Sequence, residues 1–184
     1  MIKKQSHRQR KYDKIMLGFF ILGIICGVLN ILTFRITIIP LWIVLSIYFA
    51  TGLITTIIFK RFYEWIDGKA HILLHLIANL LIWSNIILFI FLGLNRFLMD
   101  NDQYEINVSI SYAKVISGPK SGHKVRFDCK LDGINKTLRY NIKKDDIEKY
   151  EEIVKTLDSV ELKINKGMFG FNLIKQIELN INAR

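Results

Sequence analysis

Charged side chains are absent from three long stretches in the first half of this chain. No Asp, Glu, Lys or Arg occurs in residues 16–34, 36–59 and 72–95. A helix of about 20 apolar residues, rising about 1.5 Å per residue, crosses a hydrocarbon core of roughly 30 Å. The stretches therefore predict three transmembrane helices, which together make residues 16–98 a membrane region.

Cysteine is scarce, and the common catalytic motifs are missing. The chain has two cysteines, Cys26 in the first apolar stretch and Cys129 in the polar second half, so an internal disulfide framework is excluded. The glycine-rich phosphate loops, the G-x-S-x-G nucleophile turn and the H-E-x-x-H zinc motif do not occur. The sequence therefore predicts a non-enzymatic protein without a cofactor.

Positive charge is concentrated beside the predicted helices rather than in the polar half. The net charge is +10, and residues 1–95 hold 10 Lys/Arg against 3 Asp/Glu, while residues 96–184 hold 16 against 13. Nine of the flanking cations precede the first stretch or lie between the second and third. Only Arg35 and Arg96 flank the opposite helix ends. This placement argues for membrane lipid, and against nucleic acid, as a partner.

The same bias predicts an orientation, because short cytoplasmic loops carry an excess of Lys and Arg. Residues 1–15 are then a basic cytoplasmic N-terminus. Three spans place the polar domain, residues 103–184, on the extracytoplasmic side. A composition rich in Ile, Lys and Asn is typical of a bacterium with an AT-rich genome, so the expected location is a bacterial cytoplasmic membrane.

Small residues in the first stretch indicate a close helix contact. Gly23 and Gly27 form a G-x-x-x-G pattern, which lets another backbone approach closely. The contact is either with a second copy of the chain or with another helix of the same chain. Residues 34–36 leave almost no loop between the first two stretches, so these two helices are expected to form a tight hairpin.

Polar side chains inside the apolar stretches are candidates for function, because burying them in lipid is costly. Four are Asn30, His75, Asn79 and Asn85. They predict hydrogen bonds between helices, and a metal or proton pathway is the alternative. A metal site could combine Asp67, His71 and His75, since carboxylate and imidazole groups suit zinc or iron.

The polar half alternates as strands do. In residues 124–131, apolar and charged side chains point to opposite faces, and further alternating segments lie on either side. Between residues 145 and 157 the apolar spacing changes to three and four, which indicates a helix. The order β-β-β-α-β-β over about 80 residues predicts an OB-like barrel, with an open α+β sheet as the alternative. The whole chain is thus an α+β membrane protein.

Two functional hypotheses follow. The first is a multi-pass membrane protein whose β domain binds a protein partner or a small ligand, as an accessory of an envelope complex or as an immunity-type protein. The second is an oligomeric membrane effector or channel with the β domain as its ligand sensor. Lys163, Lys166 and Lys175, near the last hairpin, are a candidate binding surface.

Overall fold

Three long apolar helices precede a curled antiparallel sheet in a computed structural model of the chain. The structure describes residues 7–67, 72–118 and 122–179, and the side chains of residues 14–61, 72–118 and 122–179. The chain divides into two units. The helical unit comprises residues 1–34 and 40–94, and the sheet unit comprises residues 35–39 and 95–184.

The helical unit contains five described helical segments, one of them a π turn, and these form three long helices. Helix α3 continues through one turn of π-helix into α4, so these segments make a single long helix. The segments are α1 (His7–Ile36), α2 (Leu41–Asp67), α3 (Ile72–Asn79), the π turn (Leu80–Ser84) and α4 (Asn85–Phe97).

Each of the three helices is long and apolar enough to cross a membrane. Their apolar side chains are largely turned outward: Ile57 exposes 74 % of its surface and Leu73 exposes 67 %. A soluble helix buries one apolar stripe, whereas a helix that is apolar all round requires an apolar environment. The composition and exposure of these helices thus support a multi-pass membrane protein.

Glycine lets α1 approach the π turn closely. A Cβ atom built on Gly23 would lie 2.6 Å from the carbonyl oxygen of Leu81 and 2.8 Å from the Cα of Ile82. One on Gly27 would lie 3.3 Å from the side-chain amide of Asn85. Both glycines of the G-x-x-x-G pattern therefore face the third long helix of the same chain.

The sheet unit contains five strands and one helix, in the order expected from the sequence. A 3₁₀ turn precedes the helix. The elements are β1 (Gln103–Gly118), β2 (Gly122–Leu131), β3 (Ile134–Ile142), α5 (Ile147–Thr156), β4 (Ser159–Lys166) and β5 (Asn172–Leu179).

The five strands form one antiparallel sheet in the order β3-β2-β1-β4-β5. The first part of β1 pairs with β4 and the second part with β2. A register shift between Ile110 and Tyr112 separates the two parts, and such bulges bend a strand. The sheet curls into a half-barrel, and among the described strands β3 and β5 are its edges, so the barrel does not close.

The core of the sheet unit lies on the inner face of the half-barrel. Val125, Phe127, Val160 and Leu162 are each 0 % exposed. Alternation places them on that face, because successive side chains of a strand point to opposite sides. Helix α5 packs partly buried residues against the same cluster, including Tyr150.

The connection between α1 and α2 is part of the sheet unit rather than the tight hairpin expected from the sequence. Thr37 pairs with Leu173 of β5, and the N–H of Ile38 donates to the carbonyl of Asn172 at 2.7 Å. Ile38 is 4 % exposed and belongs to the core cluster of the sheet. The segment at residues 35–39 therefore covers part of the β5 edge.

Proline explains why α2 begins at Leu41 and not at Ile36. A residue that precedes proline is biased away from helical dihedrals, and proline itself is best tolerated at the start of a helix. Pro40 stands in that position, and its carbonyl accepts the N–H of Ile43 at 3.1 Å. The apolar residues just before Pro40 are thus extended, although their hydropathy resembles that of the helix that follows.

A pair of glycine substitutions tests the α1 contact. We expect Gly23→Ala to destabilise the helical unit by about 1 to 3 kcal/mol, because its Cβ would overlap backbone atoms of the third helix. Gly18→Ala is the matched control, since no atom lies within 4 Å of its Cβ, and alanine favours a helix.

Unfolding of the full chain by SDS, followed by tryptophan fluorescence, measures the effect. Trp83 reports the fold directly, because its ring lies 5.2 Å from that of Phe19 in α1 and 5.6 Å from that of Phe59 in α2. Equal stability of the two variants would contradict the close contact.

Candidate functional site

The polar side chains of the helices bind one another inside the helical unit. Asn79 donates through Nδ2 to Oγ1 of Thr56 at 3.0 Å, and that hydroxyl donates to the carbonyl of Gly52 at 2.7 Å. Ser84 donates to the carbonyl of Tyr48 at 2.7 Å. These bonds join α2 to the third long helix, which is how buried polar groups commonly act between membrane helices.

A second set of bonds joins α1 to the residues around the π turn. Asn30 donates through Nδ2 to the carbonyl of Asn85 at 2.9 Å. Asn85 in turn donates through Nδ2 to the carbonyl of Leu81 at 2.8 Å. A π turn interrupts the regular ladder of a helix, and these amides satisfy carbonyl groups beside it. The structure thus brings Asn30 and Asn85 together, and it places Asn79 in a separate bond with α2.

The candidate metal site lies only partly within the described side chains. His75 is buried, at 8 % exposure. The side chains of Asp67 and His71 lie outside the described residues. Among the described residues, no group of three or more His, Cys, Asp and Glu side chains could hold a metal ion.

The three lysines near the last hairpin do not form one cationic surface. Lys163 contacts Glu105 at 3.4 Å and Glu178 at 2.8 Å, so its charge is balanced. Lys166 ends β4, and Lys175 lies at the register shift of β5. The pairings of Lys163 leave its part of the outer face without a surplus of positive charge.

Carboxylates dominate that same region. The pKa of Glu161 is raised, first by a hydrogen bond with Glu105 and then by its limited burial and by the nearby charge of Glu105 and Glu178. The pKa of Lys163 is also raised, mainly by its hydrogen bond to Glu178. The end of the sheet that contains β4 therefore repels an anion.

The opposite half of the outer face carries a row of cations. Lys114 of β1 is the direct partner of Arg126 in β2, and Arg126 is the direct partner of Arg139 in β3. We call these three residues the cation row. Side chains directly opposite each other on paired strands are about 4.5–5.5 Å apart at Cβ, and like charges at that spacing are destabilising. Three cations in one line across three strands destabilise the sheet, so folding stability does not account for their presence.

Little negative charge compensates the cation row. In β2, β3 and the second part of β1, Asp128 is the one acidic residue. It lies 3.7 Å from Arg126 and also accepts a hydrogen bond of 2.6 Å from Oγ1 of Thr137. The Nε atom of Arg126 is buried and has no hydrogen-bond partner among the described residues. Because Lys124 and Lys130 share this face, an anion would find an excess of donors here.

The sequence alone indicates only part of the cation row. The alternation of β2 showed that its charged residues share one face, and this includes Arg126. Lys114 and Arg139 come from other strands, and only the register of the sheet places them beside it. A single sequence does not reveal register, so the row could not be found from the sequence.

One buried lysine was also missed, and in this case the sequence did contain the signal. Lys136 has the same parity in β3 as Leu138 and therefore points into the half-barrel, where it is 8 % exposed. Its direct partner across the strands is Cys129. An inward-pointing charge on an edge strand is one way in which proteins discourage indiscriminate pairing at that edge.

Burial shifts both groups of this pair. It lowers the pKa of Lys136 from 10.5 to about 8, while the nearby Cys129 acts weakly in the opposite direction. Burial raises the pKa of Cys129 from 9.0 to about 11, with a further contribution from Asp128. Cys129 thus remains a protonated thiol at neutral pH, and Lys136 is held near its titration point.

Comparison of the chain with protein families, curated proteins and solved structures finds no match. The function of this protein must therefore be argued from its own side chains.

Substitution of Lys136 by methionine tests its burial. We expect Lys136→Met to stabilise the sheet unit by about 1 to 3 kcal/mol at pH 7, because it removes a charged group from the core. Below pH 8 the cost of the buried cation is fully present. As the pH rises from 8 to 10.5, the folded chain loses its proton first, so the cost disappears and the advantage of the variant shrinks.

Pulse proteolysis of the full chain across a urea series, in non-ionic detergent, measures this stability at each pH. The comparison with the wild type cancels the opposite effect of Cys129, whose ionisation in the unfolded chain lowers stability between pH 9 and 11. Lys130→Met, on the exposed face of β2, is the control. A constant advantage of Lys136→Met from pH 7 to pH 10.5 would contradict the argument.

Proposed function

We propose that this chain is a non-enzymatic, multi-pass membrane protein whose sheet unit binds an acidic segment of a protein partner. The observation that carries the proposal is the cation row of Lys114, Arg126 and Arg139, three residues that are direct partners across three strands. An accessory of an envelope complex and an immunity-type protein are two concrete forms of this function.

Electrostatics favours an anionic partner at this face. Like charges directly opposite each other on paired strands destabilise a sheet. Asp128 offsets part of the repulsion around Arg126, while Lys114 and Arg139 flank it on either side. Carboxylates of a partner would relieve this repulsion, which gains affinity and orientation together.

A protein partner fits this surface better than nucleic acid or lipid headgroups do. The acidic region around Glu105, Glu161 and Glu178 lies on the same sheet and would repel a long polyanion. A short acidic segment can contact the cation row alone. The extracytoplasmic location proposed next would also separate the sheet unit from cytoplasmic nucleic acid.

We propose that the N-terminus is cytoplasmic and that the sheet unit is extracytoplasmic, in a bacterial cytoplasmic membrane. Residues 35–39 and residues 95–184 belong to one unit. The helix ends that the chain joins to this unit therefore lie on the same side of the membrane. The cations near that side are Arg35 and Arg96, against nine on the other. The Lys and Arg excess is expected on the cytoplasmic side.

Single-cysteine variants test this orientation in intact cells. In a background without Cys26 and Cys129, we expect Met168→Cys to react with a membrane-impermeant maleimide from outside. Lys60→Cys should react only after permeabilisation. Both sites are exposed, Met168 in the sheet unit and Lys60 near the end of α2. The reverse labelling pattern would contradict the proposed orientation.

The alternative of an oligomeric channel has no comparable observation in its favour. Asn30, Asn79, Ser84 and Asn85 each donate to a group of the same chain. Polar side chains with these partners are suited to holding helices together, so we do not propose a pore.

Charge removal in the cation row tests the proposed function. The full chain in non-ionic detergent is titrated with a short fluorescent oligoglutamate peptide at low salt. We expect Arg126→Gln and Arg139→Gln each to weaken binding about 5- to 10-fold, because each removes a charge from the contact. Lys175→Gln changes the net charge equally but lies outside the row, so it should change binding less than about twofold. Equal losses in all three variants would reject a specific site.

A further inference from the structure

The edges of the half-barrel differ, and the difference points to how a partner binds. The β5 edge is partly covered by the chain itself, through the pairing of Thr37 with Leu173 and the hydrogen bond from Ile38 to Asn172. Strand β3 pairs with β2 on one side, and no described strand pairs with its other side. An uncovered edge is a template for pairing with another chain.

We propose that the acidic segment binds as an added strand along the free edge of β3. This inference rests on the proposed function, because it specifies how the partner engages the cation row. Strand addition is a common mode of peptide recognition, in which main-chain hydrogen bonds supply affinity and alternate side chains supply specificity. Strand β3 has 9 residues, Ile134–Ile142, which is enough for a peptide of ordinary strand length.

The cation row ends on this edge strand. Arg139 is its last member, and the row runs perpendicular to the strands. An added strand would extend that line by one position, and its residue opposite Arg139 would lie about 4.5–5.5 Å away at Cβ. A glutamate or aspartate at that position continues the row with a charge of the opposite sign.

Lys136 sets a second requirement, on the inner face of the added strand. It points into the half-barrel, and a new neighbour on β3 would cover it further. An apolar side chain opposite it would take this charged group further from water at a cost, so a small polar side chain is favoured there. Since Lys136 and Arg139 lie on opposite faces of β3, the preferred segment alternates acidic residues outside with small polar residues inside.

A second copy of this chain is a poorer occupant of the same edge. Pairing two β3 strands would bring the two cation rows together, each ending in Arg139. Like charges on neighbouring strands are destabilising. The charge of this surface therefore selects an acidic segment of another protein.

Two synthetic peptides of equal charge and of about ten residues, near the usual strand length, test the inference on the full chain in non-ionic detergent. One alternates threonine with glutamate, and the other has the same sequence with a methyl group on every backbone nitrogen. Methylation removes the N–H donors on both edges of the peptide and leaves its charge unchanged, so it prevents main-chain pairing with β3. We expect the unmethylated peptide to bind about tenfold more tightly or better.

Hydrogen exchange locates the bound peptide. With the unmethylated peptide present, amides of β3 should exchange more slowly, while those of β5 should not change, because its edge is already partly covered. Arg139→Gln should weaken binding of the unmethylated peptide, with Lys175→Gln as the control of equal net charge. Slower exchange confined to β3, lost in Arg139→Gln, supports strand addition.

The other outcomes separate this inference from the proposed function. Equal binding of both peptides, with the same loss in Arg139→Gln, overturns strand addition and leaves the anionic site standing. Binding of neither peptide overturns both. A dimer formed by the chain alone, with protected β3 amides, makes a second copy the occupant and overturns the inference. The inference is also overturned if the chain binds vesicles of anionic lipid, if this binding requires Arg139, and if the vesicles displace the peptide.

Discussion

A segment that connects two long apolar helices also pairs with the edge of a β-sheet, and much of the architecture depends on this. Thr37 and Ile38 hydrogen-bond along β5, and Ile38 fills a place in the core of the half-barrel. The chain therefore enters or leaves the sheet unit at three points, after Phe34, before Pro40 and after Leu94. Asn95 strengthens the last of these, since its Nδ2 donates to the carbonyl of Phe171 and its Oδ1 accepts the N–H of Phe169, each at 3.0 Å.

The helical unit is held by close approach and polar contacts rather than by apolar burial. Lipid tails are as apolar as leucine, so burying leucine between membrane helices gains little. Gly23 admits the third helix to within van der Waals contact of α1, and Asn30 and Asn79 donate across helix boundaries. The π turn lies where these contacts meet. Its irregular hydrogen bonding is tolerated because neighbouring helices supply the missing partners.

Much of the fold followed from periodicity, and the remainder depended on pairing. Charge-free length indicated the three helices, and alternation indicated the order of the strands and the helix along the second half of the chain. Hydropathy could not separate residues 36–39 from the helix after them, because a buried strand and a lipid-facing helix are both apolar; Pro40 was the available signal. The cation row depends on strand register, which is a contact between distant segments. Lys136 is different, because it has the same parity as Leu138 in β3. Alternation along the strand therefore already places its side chain on the inner face of the half-barrel.

The two edges of the sheet differ, and this difference accounts for Lys136, whose burial as a charged group is expected to lower the stability of the sheet unit. The β5 edge is partly covered by Thr37 and Ile38, which bring no charge. No described strand pairs with the outer side of β3, and an uncovered apolar edge would pair indiscriminately. A lysine whose pKa burial lowers to about 8 makes such pairing unfavourable, because any new strand must bury it further. In the complex that we propose, Arg139 on the outer face would favour a strand that brings negative charge. One inward and one outward cation would then restrict the edge to a particular class of segment, with specificity gained at the expense of stability.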